Sequence, residues 1–192
     1  ERLDPVKVRN SGRIPIYTPG EIAGILAHAA PELVPAIAIG AFSGLRSAEL
    51  ERLDYSSVDL EGGHVIVEAD AAKVASRRIA PLPANAAAWL APYAKQRGKV
   101  WKGGSGTFYE GVSNACKKAG VPRKANALRH SFITYRLAET QNAAQVALEA
   151  GNSAQMIFRH YRELTKPADA RKWFGVAPDE PANVTRLREA RA

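Results

Sequence analysis

The sequence predicts an α+β domain that is mainly α-helical, a helical bundle carrying a small three-stranded antiparallel sheet. Three observations carry this. Apolar residues recur at helical spacing before residue 53 and again after residue 107. Three short β-type segments crowd together between residues 58 and 82, the first two separated by Gly62-Gly63. Gly and Pro fall at the junctions, where helices start and stop.

Each element follows in order. Thr18-Pro19-Gly20-Glu21 is a capping-box pattern with Pro at the first helical position, and Ile22, Ile25 and Leu26 continue it as a helix to about Ala30. Pro31 opens a second, apolar helix to about Phe42, which lacks a polar face and is expected to be buried. Ser43-Gly44 breaks it, and a short helix spans about Arg46 to Leu53. Strands are expected at Val58–Leu60, His64–Glu68 and Arg77–Leu82. Pro83 starts a helix to about Lys95, followed by a Gly- and Lys-rich loop. Phe108, Val112 and Cys116 stripe a helix from Thr107 to Ala119, closed by Gly120. Further helices are expected at about Ala125–Ala138, Asn142–Ala150, Ala154–Tyr161 and Ala168–Phe174. Residues 1–17 read as a linker or arm, 18–178 as one folded domain, and 179–192 as a polar tail. The sole Met is Met156, so the chain reads as a piece of a longer protein.

With 192 residues, 46% of them hydrophobic and 24% charged, the chain is large enough for one sizeable core and too apolar for wholesale disorder. No apolar run approaches the ~18 residues of a membrane span, and the start Glu1-Arg2-Leu3-Asp4-Pro5 is not a signal peptide. A single cysteine, Cys116, excludes an internal disulfide framework and a Cys-built zinc site. A cytoplasmic location is expected, with no membrane partner.

The net charge of +8 is unevenly spread. Residues 71–138 hold thirteen Lys or Arg and one acidic residue, Glu110, so this segment carries +12 and the remainder −4. Such segregation suits a polyanionic partner such as nucleic acid, the alternative being chance clustering on an ordinary surface. Arg77, Arg78, Lys117, Lys118, Arg123 and Lys124 are the candidate residues for contacting such a partner, which the resemblance described below makes double-stranded DNA.

Four positions could carry chemistry. Arg46 precedes a short helix. It either pairs with Glu49 at i, i+3 or grips an anion near the helix N-terminus. Asn126 and Arg129, also at i, i+3, form either a two-donor phosphate patch or an N-cap beside a solvated arginine. Lys73, with Arg77 and Arg78, marks a basic hairpin tip, solvated or reaching into a groove. Tyr161, after Phe158-Arg159-His160, reads by itself as a core tyrosine. No Ser-His-Asp set, HExxH, P-loop or Cys/His metal cluster appears, and no metal or small-molecule cofactor is expected.

Together these segments resemble the catalytic domain of the tyrosine recombinases, the phage integrase family. Ser43-Gly44-Leu45-Arg46-Ser47-Ala48-Glu49-Leu50 is similar to the family's T-G-L-R-x-x-E-L box. Lys73 has the placing of the β-hairpin lysine ahead of Pro81-Leu82. Leu128-Arg129-His130-Ser131-Phe132 is similar to L-R-H-[ST]-F, and Ala150-Gly151-Asn152-Ser153 to L-G-H-S. Tyr161 stands at the nucleophile's spacing. The resemblance runs from about Ile14 to Phe174, with five boxes in order.

What the resemblance implies is a site-specific recombinase or integrase that cleaves and rejoins DNA without metal or ATP. Tyr161 would form a 3′-phosphotyrosyl link, Arg46 and Arg129 would hold the phosphate oxygens, and Lys73 would protonate the leaving 5′-oxygen. Glu49 and His130 would support the site. The family also implies an N-terminal core-binding domain ahead of this chain, a tetramer on DNA, and a C-terminal tail that docks onto a neighbour. Two positions depart from the pattern: Asn126 and Asn152 stand where the family usually has His, or His or Trp. An amide donates hydrogen bonds but does not exchange a proton near neutral pH. An enzyme attenuated at these two positions is therefore expected, and the alternative is a decayed integrase that only binds DNA.

Overall fold

The computed structural model describes residues 14–69, 77–161 and 165–179. Lys73, most of the N-terminal arm and most of the polar tail lie outside the described residues.

The first helix, α1 (Pro19–His28), carries the expected capping box: Thr18 Oγ1 accepts from the Glu21 amide, and the Glu21 carboxylate accepts from the Thr18 amide. The segment after Pro31 is not one helix. A 3-10 turn, Pro31–Leu33, precedes α2 (Val34–Phe42). Pro35 then sits in the first turn of α2, where its missing N–H costs no intrahelical bond. All of α2 is buried, as its lack of a polar face requires. Helix α3 (Ser47–Arg52) follows the Gly44 break.

The sheet has the predicted topology, in the order β1 (Val58–Asp59), β2 (His64–Val67), β3 (Arg78–Pro81), with both pairs antiparallel. Val65 pairs with Val58 on one side and Ala80 on the other, and Val67 pairs with Arg78. Val65, Val67 and Ala80 are buried, which fixes the face that packs inward. Helix α4 (Ala84–Leu90) is shorter than expected. Pro92 cannot donate to the preceding turn, so the chain tightens into a 3-10 turn at Ala91–Tyr93. Helix α5 (Ser105–Lys118) buries Phe108, Val112, Ala115 and Cys116.

The closing half is helical: α6 (Ala127–Thr140), α7 (Ala143–Ala150), α8 (Ala154–Tyr161) and α9 (Pro167–Phe174). Helix α2 runs through the middle, against α4 and α6, and α6 also packs on α7 and α9. Trp173 of α9 is fully buried, stacked on Tyr135 at 4.6 Å between centroids and tilted against Phe42 at 5.5 Å. A second apolar cluster joins Phe132 and Ile133 of α6, Val146, Ala147 and Ala150 of α7, and Ile157 and Tyr161 of α8. This cluster fixes the ring of Tyr161 relative to α6, which carries Arg129. Among the described residues no helix is long and apolar enough to cross a membrane.

Candidate active site

Two glycine turns build the site. Gly44 (φ 71°) and Gly151 (φ 67°) are both left-handed, a conformation that other residues rarely hold. The turn at Gly44 presents its carbonyl to Arg129 Nη1, which donates at 2.6 Å. The turn at Gly151 presents its carbonyl to Arg46 Nη2. Arg129 Nη2 donates to the Ala150 carbonyl at 2.6 Å. Each arginine is thus anchored on the turn that follows another helix.

The two guanidiniums then meet at one atom. Asn152 Oδ1 accepts from Arg46 Nη2 at 3.1 Å and from Arg129 Nη2 at 3.0 Å. Two donors on one side chain oxygen fix the amide's orientation and leave Nδ2 as its remaining donor. Burial, and then repulsion from Arg46, lowers the Arg129 pKa to about 10, still well above neutrality. The pair therefore keeps two positive charges in a half-buried place, where an anion is favoured.

Glu49 ties the first arginine to the frame. The Arg46–Glu49 pairing read at i, i+3 is present, with Nη1 donating to Glu49 Oε1 at 3.0 Å, while Nη2 reaches the Asn152 side chain. The Glu49 carboxylate also accepts the Arg46 amide at 2.7 Å and two bonds from Arg78, at 2.9 and 2.8 Å. Burial alone would raise the Glu49 carboxyl, but these donors and the two guanidinium charges hold it at about 2.

Tyr161, at the end of α8, is 6% exposed. Its hydroxyl is 2.8 Å from His130 Nδ1. Burial raises the phenol's pKa, and the nearby Arg129 charge opposes this. Burial and the same Arg129 charge lower the His130 pKa.

Asn126 departs from its predicted place. It does not share a helical face with Arg129, because it precedes α6 in the left-handed conformation (φ 54°) that Asn tolerates. Its side chain makes no capping bond; its carbonyl accepts from the His130 amide. It nonetheless lines a cleft of about 280 Å³ together with Arg46, Ser47, Tyr109, Arg123 and Arg129.

The candidate DNA-contacting residues divide. Arg77, Lys117, Lys118 and Arg123 are exposed, with Arg123 over the Tyr109 ring at 5.3 Å and Arg77 3.4 Å from Glu68. Arg78 and Lys124 are instead engaged within the protein. Arg78 turns inward onto Glu49 and the Glu149 carbonyl, with 12% of its side chain exposed. Lys124 donates to both oxygens of Glu21 and to the Ile16 carbonyl. Strand alternation sends Arg77 and Arg78 to opposite faces, and an acidic partner waits on the inner one. Among the described residues no group of His, Cys, Asp and Glu is gathered as a metal ion would need.

No protein-family model matches the chain, and no curated protein does either. Solved structures do. XerA recombinase superimposes with a TM-score of 0.69 at 19% identity, over 88% of this chain and 66% of that one. The catalytic domain of bacteriophage HP1 integrase matches with a TM-score of 0.62 at 19% identity, over 86% of this chain and 90% of that one. XerH site-specific recombinase, bound to difH substrate in a pre-cleavage complex, matches at 0.63 and 20%, over 79% of this chain and 51% of that one. The chain thus spans about two thirds of XerA and half of XerH, but nearly all of the HP1 catalytic domain. A buried central helix, a three-stranded antiparallel sheet and a closing run of helices give this chain the fold of the tyrosine recombinase catalytic domains.

Proposed function

We propose that residues 18–178 form a DNA strand transferase, the catalytic domain of a site-specific recombinase or integrase working through a 3′-phosphotyrosyl intermediate. The observation that carries this reading is the convergence of Arg46 and Arg129 on Asn152 Oδ1, with Tyr161 close enough to feel the Arg129 charge. A phosphodiester oxygen would add negative charge where the Glu49 carboxylate stands against three guanidiniums, Arg46, Arg78 and Arg129. In the reaction, Tyr161 attacks the scissile phosphate and displaces a 5′-oxygen. The guanidiniums stabilise the charge that gathers on the non-bridging oxygens, often the largest catalytic contribution. Asn126 and the Asn152 amide nitrogen add neutral donors, and Lys73 protonates the departing oxygen by resemblance. The covalent link conserves the phosphodiester's energy, so no ATP is needed.

Double-stranded DNA is the proposed partner, gripped through Lys117, Lys118, Arg123 and Arg77, with a tetramer assembling on the DNA and the tail from residue 179 docking between protomers. The protein would work in the cytoplasm. XerH and the Tn1549 transposon integrase, both complexed with DNA, share this fold. Asn at positions 126 and 152 favours a second reading, a DNA-binding module that has lost cleavage.

One experiment separates the two. Nicked duplexes with randomised cores are mixed with the protein, and denaturation-resistant protein–DNA adducts are captured and sequenced. The enzyme reading expects an adduct that vanishes in Tyr161→Phe. DNA binding with no adduct at any pH supports the decayed module, and an adduct that survives Tyr161→Phe overturns Tyr161 as nucleophile.

A further inference from the structure

His130 follows Arg129 on α6, so the helix turns its side chain about 100° away from the guanidinium. That turn carries it toward α8. Its ring lies 6.0 Å from the Tyr161 ring between centroids, and Nδ1 is 2.8 Å from the hydroxyl. The atom touched is the one that must lose a proton if Tyr161 attacks phosphorus. Resting on the reading of Tyr161 as nucleophile, we propose that His130 is a catalytic residue, the general base that takes the phenolic proton during strand cleavage.

In this step the Tyr161 Oη–P bond forms as the P–O5′ bond breaks. The phenolic proton passes to Nδ1 and makes an imidazolium. The departing 5′-oxygen takes its proton from an acid, Lys73 by resemblance or otherwise water. On rejoining, a 5′-hydroxyl attacks phosphorus and gives up its proton to that same acid–base partner. Tyr161 leaves as phenolate and recovers its proton from Nδ1.

Three observations support the assignment. Burial and the Arg129 charge lower the His130 pKa, so the imidazole is neutral near neutral pH and offers a lone pair at Nδ1 when its proton is on Nε2. Burial keeps the phenol protonated, so the attack needs a base. The side chains at 126 and 152 are amides, which exchange no proton in this range. The charged and titratable groups around the imidazole are Arg129 on its own helix and Tyr161 on α8, with Tyr17, Arg46, Tyr109, Arg123 and Lys124 lining the cleft it borders.

The test uses the full chain and a duplex from the adduct selection, with a 5′-bridging phosphorothiolate at the scissile position. The thiolate leaves without an acid, which isolates the base. Single-turnover adduct formation should fall ~10²–10⁴-fold in both His130→Ala and His130→Asn. The wild-type rate should rise with pH and level off at the imidazole pKa, and both variants should lose this break. Asn places an acceptor where Nδ1 stood, so wild-type rates in His130→Asn mean a positioning role and overturn the proposal. An unchanged rate in His130→Ala does the same while leaving Tyr161 as nucleophile intact. ¹⁵N NMR of the wild-type protein, independent of any variant's folding, should show Nδ1 unprotonated at neutral pH, and a proton on Nδ1 overturns it. Absence of any wild-type adduct, with DNA still bound, overturns both this proposal and the reading it rests on.

Discussion

Arg78 meets Glu49 through two parallel hydrogen bonds, Nη1 to Oε1 at 2.9 Å and Nη2 to Oε2 at 2.8 Å, with about a tenth of each side chain exposed. The fork fixes the carboxylate that holds the Arg46 amide and guanidinium. Removing either partner leaves a poorly solvated charge. Arg78→Ala and Glu49→Ala should therefore each cost about 3–5 kcal/mol of stability, read from urea unfolding. The same carboxylate sets an acid limit. Its pKa is depressed from 4.5 to about 2 on folding, so its contribution is complete above pH ~4.5. That contribution, on the order of 3 kcal/mol, is lost as the pH falls toward 2. Glu49→Gln should flatten this part of the pH–stability curve.

Asn152 is the second point of leverage. Its oxygen satisfies Arg46 and Arg129 with no charge of its own, which leaves the pair cationic for a phosphate. Asn152→Asp keeps the shape and places an anion there. Both bonds become ion pairs, so thermal unfolding should shift upward by a few degrees, as about 1 kcal/mol does in a domain of this size. DNA cleavage should fall by at least ~10²-fold, because the built-in carboxylate repels the substrate phosphate and blunts the clamp. A variant that is stabilised yet cleaves normally would show that the two arginines do not hold the phosphate.

The sequence made the site's composition legible and left its wiring hidden. Arg46, Arg129, Asn152 and Tyr161 each sit in a recognisable box, and Thr18-Pro19-Gly20-Glu21 announces α1 by local chemistry alone. Asn152 as a shared acceptor depends on where the turn after α7 lands against α3 and α6, a tertiary relation that no local pattern encodes. His130 is similar. Its neighbour Arg129 carries the motif, but what the ring touches depends on the docking of α8. Arg78 sits in a run of basic residues that reads as a solvated tip. Only the register of β3 beside β2, with Glu49 on the inner side, turns it into a buttress.

Gly44 offers a test of how tightly the Arg129 anchor is built. A Cβ on this residue would lie 2.2 Å from Phe132 Cδ1, and its φ of 71° already strains any L side chain. Gly44→Ala must therefore move the buried Phe132 ring or the turn whose carbonyl holds Arg129. Destabilisation of about 2–4 kcal/mol is expected from overpacking and backbone strain together. Gly120→Ala is the control: its φ of 66° is similar, but nothing lies within 4 Å of the added carbon, so only the smaller backbone cost of about 1 kcal/mol should appear. Equal losses in the two variants would mean that Phe132 yields freely.

The basic segment divides into exposed and committed cations, and salt dependence should tell them apart. Lys117 and Lys118 close α5 with their side chains exposed, whereas Lys124 is held by both oxygens of Glu21. Each phosphate contact contributes about −0.9 to the slope of log affinity against log salt. Lys117→Ala with Lys118→Ala should reduce the magnitude of that slope by up to about 1.8 and leave stability nearly unchanged. Lys124→Ala should leave the slope alone and instead weaken the packing of α1, since its ammonium also donates to the Ile16 carbonyl at 2.9 Å. Filter binding or fluorescence anisotropy across a salt series, with thermal unfolding of the same variants, measures both quantities. A slope that drops for Lys124→Ala and not for the pair would place the DNA on the α1 side of the cleft rather than along the end of α5.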